Sequence, residues 1–571
     1  MAAEKNTITY SQFACIGTGF SGIGLGATLK RWYNISDVVL FERESKLGGT
    51  WLINQYPGCA CDIPAPLYSF SFEPNGEWNA LFNVQTDILG YLANVAEKYD
   101  LVSKMRFNST VERCEWNEAR ARWRMDVRDN KTGTVFYHEC KFLFSGVGQL
   151  IQPRIPDFPG IDTFRGDMFH AARWNHDVSV KDKNVVVVGN GCTANQIVPA
   201  IVRDTKSLTQ IVRSKHWIVK PPLMPNVRLM SFLFRKIPGL LKLMRLAIWL
   251  ALENSWRAFY ATSYAAALRK GAEDTTRAYM KELAPAKYHD MLIPDFPIGC
   301  KRRIFNPGYL ESLNEENLTL TDNAILEIVP EGVRTKDGVI EADVIALATG
   351  YITNSFLPRV QVVGKNGESA EEHWKKTNGA GAYNTVLLSG FPNFFMILGP
   401  NSVTGHTSTV FAIENAINYS LRILKPVLDG EATSIDCSQE AEDRWDQKIQ
   451  DGLQKTVWKD GNCDNWYSRD AQGKQARNAS TYPFTQGHFW YKCVFPDYED
   501  LAYTPALDRR AKKLGRYLKI AALALALFAS FKAARAVRED GLKSVVQGYA
   551  IQAFIKFHML RMRVRQAIGA K

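Results

Sequence analysis

The chain is poor in the features that mark several protein classes. Its ten cysteines form no Cys-x-x-Cys pair and no Cys/His cluster at zinc-ligand spacing, so no metal knot is expected and the thiols read as those of a reducing compartment. No apolar run reaches the ~20 residues that cross a bilayer. Met1-Ala-Ala-Glu-Lys5 lacks a basic stretch leading into an apolar core, so a cytoplasmic location is expected rather than secretion. Nothing repeats at solenoid or propeller spacing. Collagen-like, low-complexity and coiled-coil compositions are absent.

Against those absences, 571 residues with 46% hydrophobic, 12% aromatic and 22% charged side chains have enough apolar surface to offset backbone ordering in two or three domains. The formal charge is +12, but it is not spread evenly. Residues 505–571 carry 15 Lys or Arg and 3 Asp or Glu, leaving 55 basic against 55 acidic residues before them. A neutral body without an aromatic and basic stripe offers little phosphate neutralisation, so nucleic acid is not an expected partner.

Two segments carry dinucleotide chemistry. Phe13-Ala-Cys-Ile16 reads as a buried strand, Gly17-Thr-Gly19-Phe-Ser-Gly22 as a turn, the residues to about Tyr33 as a helix, and Val38 to Phe41 as a second strand ending in Glu42. The glycines let a pyrophosphate approach the helix N-terminus, and Glu42 can accept from a ribose hydroxyl. The pattern returns at Asn184-Val-Val-Val-Val188, Gly189-Asn-Gly191-Cys-Thr193-Ala194 and Leu208 to Val212. Here the second strand runs into Arg213-Ser214-Lys215, cations where the first unit has a carboxylate, which suits a 2′-phosphate. The first site is therefore read as FAD and the second as NADPH.

The expected fold is α/β, with two Rossmann-like dinucleotide-binding domains. Residues 1–150 begin the FAD-binding domain, 151–340 form the NADP-binding domain with a helical insertion at about 221–294, 341–504 return to the first domain, and 505–571 form a basic helical tail.

Gly48-Gly-Thr50-Trp51, Tyr56-Pro-Gly58 with Asp62, and Phe164-x-Gly166-x-x-x-His170-x-x-x-Trp174 between the glycine loops together resemble the type I Baeyer–Villiger monooxygenases, over roughly Phe13 to Tyr503. That resemblance implies an FAD- and NADPH-dependent enzyme that inserts one atom of O2 next to a ketone carbonyl, through a C4a-peroxyflavin, to give an ester or lactone. It implies an active-site Arg302, in Cys300-Lys301-Arg302, held by Asp62. It places Thr50, Trp51 and Tyr68 around the flavin, and Gly189, Gly191, Thr193, Ala194, Gln196, Arg213, Ser214 and Lys301 around NADP, with Trp466 on a loop closing over nicotinamide. His170 is expected to be a hydrogen-bonded hinge residue rather than a base. Asn175 departs from the family pattern, which has Pro or Asp after the tryptophan, and keeps a nitrogen- or sulfur-oxidising flavin monooxygenase as the alternative. Cys59 and Cys61 are too close for the redox pair of a disulfide reductase.

In the tail, Ile520 to Phe531 is apolar and flanked by Lys519 and Lys532. Two readings stay open, a basic helix lying on an anionic membrane surface and a helix packed on the enzyme body.

Overall fold

The computed structural model describes residues 8–222, 226–377, 379–469, 474–505 and 509–540. The chain forms two compact units, Met1–Ala506 and Leu507–Lys571. In the second, Arg509–Asp540 is one helix; the further basic helix expected up to Lys571 lies outside the described residues.

Two sheets organise the first unit. The larger runs in the order Gln361–Val363, Ser109–Asn117, Arg122–Asp129, Val135–Ser145, Thr9–Ile16, Val38–Phe41 and Met105–Arg106, with Phe394–Met396 pairing on Val135–Ser145. The second has five strands, Leu318–Thr321, Ser207–Ile211, Asn184–Val188, Val344–Leu347 and Asp167–His170, and every pairing in it is parallel. Their central strands are continuous apolar runs because elements cover both faces. Phe13, Ala14 and Cys15 are fully buried, as are Val185 to Val187 to within a percent. Full burial of Phe13, or of each of these valines, contributes roughly 1.5–3 kcal/mol.

The strand Val344–Leu347 was expected to open the return to the first domain. It instead lies inside the second sheet, between Asn184–Val188 and Asp167–His170. The return begins after it, with Gln361–Val363 and Phe394–Met396.

The two glycine turns are built alike. Gly17 N–H donates to Phe41 O at 2.7 Å and Gly146 N–H to Ile16 O at 2.9 Å. Gly189 N–H donates to Ile211 O at 2.9 Å and Ala348 N–H to Val188 O at 2.8 Å. Each turn is thus pinned at the carboxyl ends of three parallel strands, where open α/β sheets bind ligands. Gly17 and Gly189 have φ of +108° and +132°, and a Cβ would lie 2.5 Å from Gly146 O or 2.3 Å from Ala348 O. Only glycine fits either place.

The expected insertion is helical, with Val227–Lys236, Leu240–Asn254 and Ser263–Leu283. It is fastened to the body by polar contacts: Glu253 Oε2 lies 2.9 Å from His406 Nε2, and Glu253 Oε1 accepts from Gly487 N–H at 2.7 Å. Burial works against the charge on Glu253, but His406 and the N–H groups of Gly487 and Gln486 hold its carboxyl below the usual range.

Candidate functional site

A cavity of about 1020 Å³ opens between the two turns. Gly17, Gly19, Glu42, Thr50, Trp51, Asp62 and Tyr68 line one part; Gly189, Gly191, Thr193, Gln196, Arg213, Ser214, Lys301, Arg302 and Trp466 line another. Gly22 and Ala194 sit buried inside their helices, behind the wall.

Both helix starts are open to an anion. Gly19 and Gly191 precede the helices Phe20–Tyr33 and Cys192–Ile201, and neither receives a side-chain cap, so first-turn N–H groups remain for a ligand. A Cβ on Gly191 would meet no protein atom within 4 Å. Packing does not demand glycine there; a pyrophosphate lying against the backbone would.

The two ends differ in charge as the sequence suggests. Glu42 is buried, with Oε2 accepting from Thr18 N–H at 3.0 Å and Thr18 Oγ1–H at 2.8 Å, and Oε1 accepting from Glu44 N–H at 3.0 Å. That fixes a carboxylate beside the first turn. Lys301 is 8% exposed, and its pKa is lowered, first by burial and then by Arg213 and Arg469, against the opposing pull of Asp464. Cations gathered on a cavity wall repel one another, a cost that a bound phosphate dianion removes. The donor chemistry fits a ribose hydroxyl at one end and a 2′-phosphate at the other.

Between them stand Asp62 and Arg302. Arg302 Nε–H donates to Asp62 Oδ2 at 2.8 Å and Nη2–H to Oδ1 at 2.6 Å, a bidentate pair about one quarter exposed on each side. Burial opposes the guanidinium charge, yet Asp62 more than offsets it and raises the Arg302 pKa. Cys192, at the start of the second cradle's helix, is pushed up to about 12 by burial and by Asp62, so it stays a thiol.

The Tyr56-Pro-Gly58 motif joins the two halves. Tyr56 Oη–H donates to Gln196 Oε1 at 3.0 Å, and Gln196 Nε2–H donates to Ala60 O at 3.0 Å. Gly58 has φ of +77°, and a Cβ on it would lie 2.4 Å from Gln196 O. This contact sets where Asp62, four residues on, meets Arg302. Trp51 Nε1–H donates to Tyr68 Oη at 3.1 Å, holding both aromatics at the wall.

His170 is 5% exposed and absent from the cavity wall. Its Nδ1 accepts from Ala172 N–H at 3.0 Å and its Nε2 donates to Gly350 O at 3.0 Å. Burial lowers its pKa to about 4, so it is a neutral connector between strand and loop. Asn175 is exposed and outside the cavity, its Oδ1 accepting from Asp177 N–H at 3.0 Å in a local turn.

A second expectation is overturned here. The cysteines are not all thiols: Cys300 and Cys463 form a disulfide across 163 residues, with Cα atoms 6.2 Å apart. It fastens the Cys300-Lys301-Arg302 segment to the turn carrying Asp464 and Trp466. No spacing rule could pair them; only their meeting in the fold does. Sequence reasoning also missed Arg43, Asn323, Arg359 and Leu398 on the wall. Asn323, Arg359 and Leu398 come from loops after distant strands and carry no local motif, whereas Arg43 directly follows Glu42 and could have been found from the first motif.

Fold and site define an oxidoreductase with two dinucleotide cradles facing one cavity. Residues 11–224 match the family model described as flavin-binding monooxygenase-like. The chain is 35% identical over 497 residues to a Baeyer–Villiger monooxygenase of Streptomyces coelicolor, covering 86% of this chain and 92% of the relative. It is 32% identical over 498 residues to one of Pseudomonas aeruginosa, covering 86% and 91%. The structure of cyclohexanone monooxygenase from Rhodococcus sp. Phi1 bound to NADP+ superposes with a TM-score of 0.74 at 25% identity, over 87% of this chain and 99% of that one. The chain belongs to the Baeyer–Villiger monooxygenase family.

Proposed function

We propose that the first cradle holds FAD, the second holds NADPH, and the enzyme uses them with dioxygen to insert one oxygen atom beside a ketone carbonyl, releasing an ester or lactone. The bidentate Asp62–Arg302 pair between the cradles is the observation that carries this reading. When bound, FAD would supply the redox chemistry that activates oxygen, and NADPH the electrons for it. The chain's own residues do the rest. Asp62 occupies Nε and Nη2 of Arg302, and among the described residues Nη1 has no hydrogen-bond partner. That edge is left to donate to the oxygen on which negative charge grows. Lys301, Arg213 and Ser214 would hold the 2′-phosphate, and Trp466, on the same cavity wall, would lie toward the nicotinamide end. The Asn175 departure gives no support to amine or sulfide oxidation, because it lies outside the cavity.

The test is aerobic NADPH oxidation by the FAD-loaded protein under labelled dioxygen, with linear, cyclic and aryl ketones. One labelled oxygen in an ester or lactone, lost in Arg302→Ala while flavin reduction persists, supports the reading. With amines and sulfides assayed in parallel, labelled amine or sulfide oxides and no ester from any ketone overturn it.

Among the described residues no helix is long and apolar enough to cross a membrane. The Arg509–Asp540 helix exposes Leu525, Leu527, Phe528 and Phe531, with Lys519 and Lys532 on either side. That supports the reading of a helix lying on an anionic membrane surface. Unchanged membrane partitioning after deletion of the residues beyond Thr504 overturns it.

A further inference from the structure

We infer that the outer face of the insertion, formed by the helices Val227–Lys236 and Leu240–Asn254, is a docking surface for an anionic lipid bilayer. Neither helix contains a buried residue, although the first is rich in Leu, Met and Phe and the second in Leu, with Met, Ile and Trp beside them. Their inner sides are accounted for. Phe234 and Leu241 pack at Gly76, Arg245 donates to Ser69 Oγ at 2.6 Å and Ser69 O at 3.1 Å, and Trp249 stands edge-on to Phe411 at 6.1 Å. Leu241, Arg245 and Trp249 recur at four-residue steps and define the face turned to the body.

On the opposite face Leu243, Leu246 and Leu250 are 50% to 65% exposed, at the three- and four-residue steps of a second apolar stripe. The neighbouring helix continues it with Leu229 and Phe232, and the turn between them adds Ile237, each about half exposed. Six large exposed apolar side chains on two consecutive helices and the turn joining them exceed the scattered exposure of an ordinary surface. A helix that is apolar on both sides needs a second partner.

Charge identifies that partner. Arg228, Arg235, Lys236 and Lys242 rim the stripe, all exposed, and no acidic residue occurs from Asn226 to Leu252. The nearest acid recorded against this rim is Glu77, 3.4 Å from Arg235. A second copy of the same face would set cation against cation. The tail, with 15 basic and 3 acidic residues, offers no complement either. An anionic interface with an apolar layer beneath it satisfies both features. The long stems of Lys236 and Lys242 let the charged heads reach phosphate while the leucines enter the acyl boundary. The inference stands on residues separate from the catalytic reading and from the tail.

The experiment uses the full-length, FAD-loaded protein with vesicles of phosphatidylcholine, with and without phosphatidylserine. Two labelled variants, Leu250→Cys and Ser530→Cys, carry an environment-sensitive dye on the insertion and on the tail respectively. The expected result is a blue shift at position 250 with anionic vesicles alone. Leu243→Glu combined with Leu246→Glu should weaken vesicle partitioning by about tenfold or more, with FAD content and NADPH oxidation unchanged as the control for folding. A shift at position 530 with none at 250 assigns binding to the tail alone and overturns the inference. Unchanged partitioning of the double Glu variant overturns it too. So does a dye at 250 that is already blue-shifted without vesicles, which marks a face covered by protein. Product formation from ketones is read separately, so failure of the catalytic reading leaves this result interpretable.

Discussion

Asp62 and Arg302, separated by 240 positions, meet edge to edge through two hydrogen bonds of 2.8 and 2.6 Å. A carboxylate in this geometry fixes the plane of the guanidinium as well as its charge. Lysine carries its donors on one rotatable nitrogen and lacks the planar fork that pairs edge to edge with a carboxylate. Arg302→Lys should therefore lower the rate of ester formation by about a hundredfold, the scale of losing one oriented donor to a developing oxyanion. Anaerobic flavin reduction by NADPH should stay within about twofold, because no donor to the dinucleotides is removed. Stopped-flow reduction and product analysis on one preparation check both parts. Equal loss of the two rates would place Arg302 in cofactor binding instead.

The cradles were legible from sequence because their demands are local. Gly17 and Gly189 are each forced by the carbonyl of the neighbouring strand, and strand, turn and helix fall within about thirty residues of one another. Asp62 and Arg302 were reachable only through motif resemblance, since nothing in their spacing says that they touch. The walls supplied by Asn323, Arg359 and Leu398 were not legible. Each is placed by a crossover whose path is a property of the whole sheet. The Cys300–Cys463 pair failed for the same reason, and Asn175 drew attention in sequence although it faces solvent.

Cofactor preference should divide at Lys301 and Arg213. Replacing either by Ala should raise the KM for NADPH by about tenfold or more, the cost of a charge-assisted phosphate contact, and leave the KM for NADH nearly unchanged. pH gives a second check. Burial and the neighbouring cations lower the Lys301 pKa, so in the free enzyme its proton leaves at a lower pH than from an ordinary lysine. The KM for NADPH should therefore rise on going alkaline before free lysines titrate, whereas that for NADH stays flat. Steady-state profiles with both nucleotides in wild type and Lys301→Met test the assignment; identical profiles would remove Lys301 from phosphate binding.

His170 should matter to acid stability and not to catalysis. Its folded pKa is about 4 against an ordinary 6.5, so between those values the unfolded chain binds the extra proton and stability rises with pH. The contribution is fully present above the ordinary value and is lost as pH falls from it toward the folded value. In His170→Gln, whose amide can still donate to Gly350 O, the loss of apparent stability between about pH 7 and about pH 5 should shrink by about 2 kcal/mol. Denaturant titrations at the two pH values measure this. A kcat profile that loses a limb in this variant would instead make His170 a proton-transfer group.

The Cys300–Cys463 bond joins the residue preceding Lys301 and Arg302 to the residue preceding Asp464, on the turn that carries Trp466. Cys300 is itself fully buried, so the tether ends in the interior, one residue before the wall-lining Lys301, rather than on a surface loop. Asp464 also pairs with Arg469 and pulls on Lys301, so the turn shares the charges of the phosphate end. Cutting the tether should free the turn without disturbing the first cradle. Cys463→Ser, or reduction of the wild type by a dithiol, should raise the KM for NADPH several-fold and increase peroxide release per NADPH, with FAD content unchanged. Thiol titration of the denatured protein before and after reduction establishes that the bond is present and then cleaved. If the reduced enzyme couples NADPH to product as tightly as the oxidised one, the turn is held by Asp464, Asn465 and Trp466 themselves, and the disulfide has no part in closing the cavity.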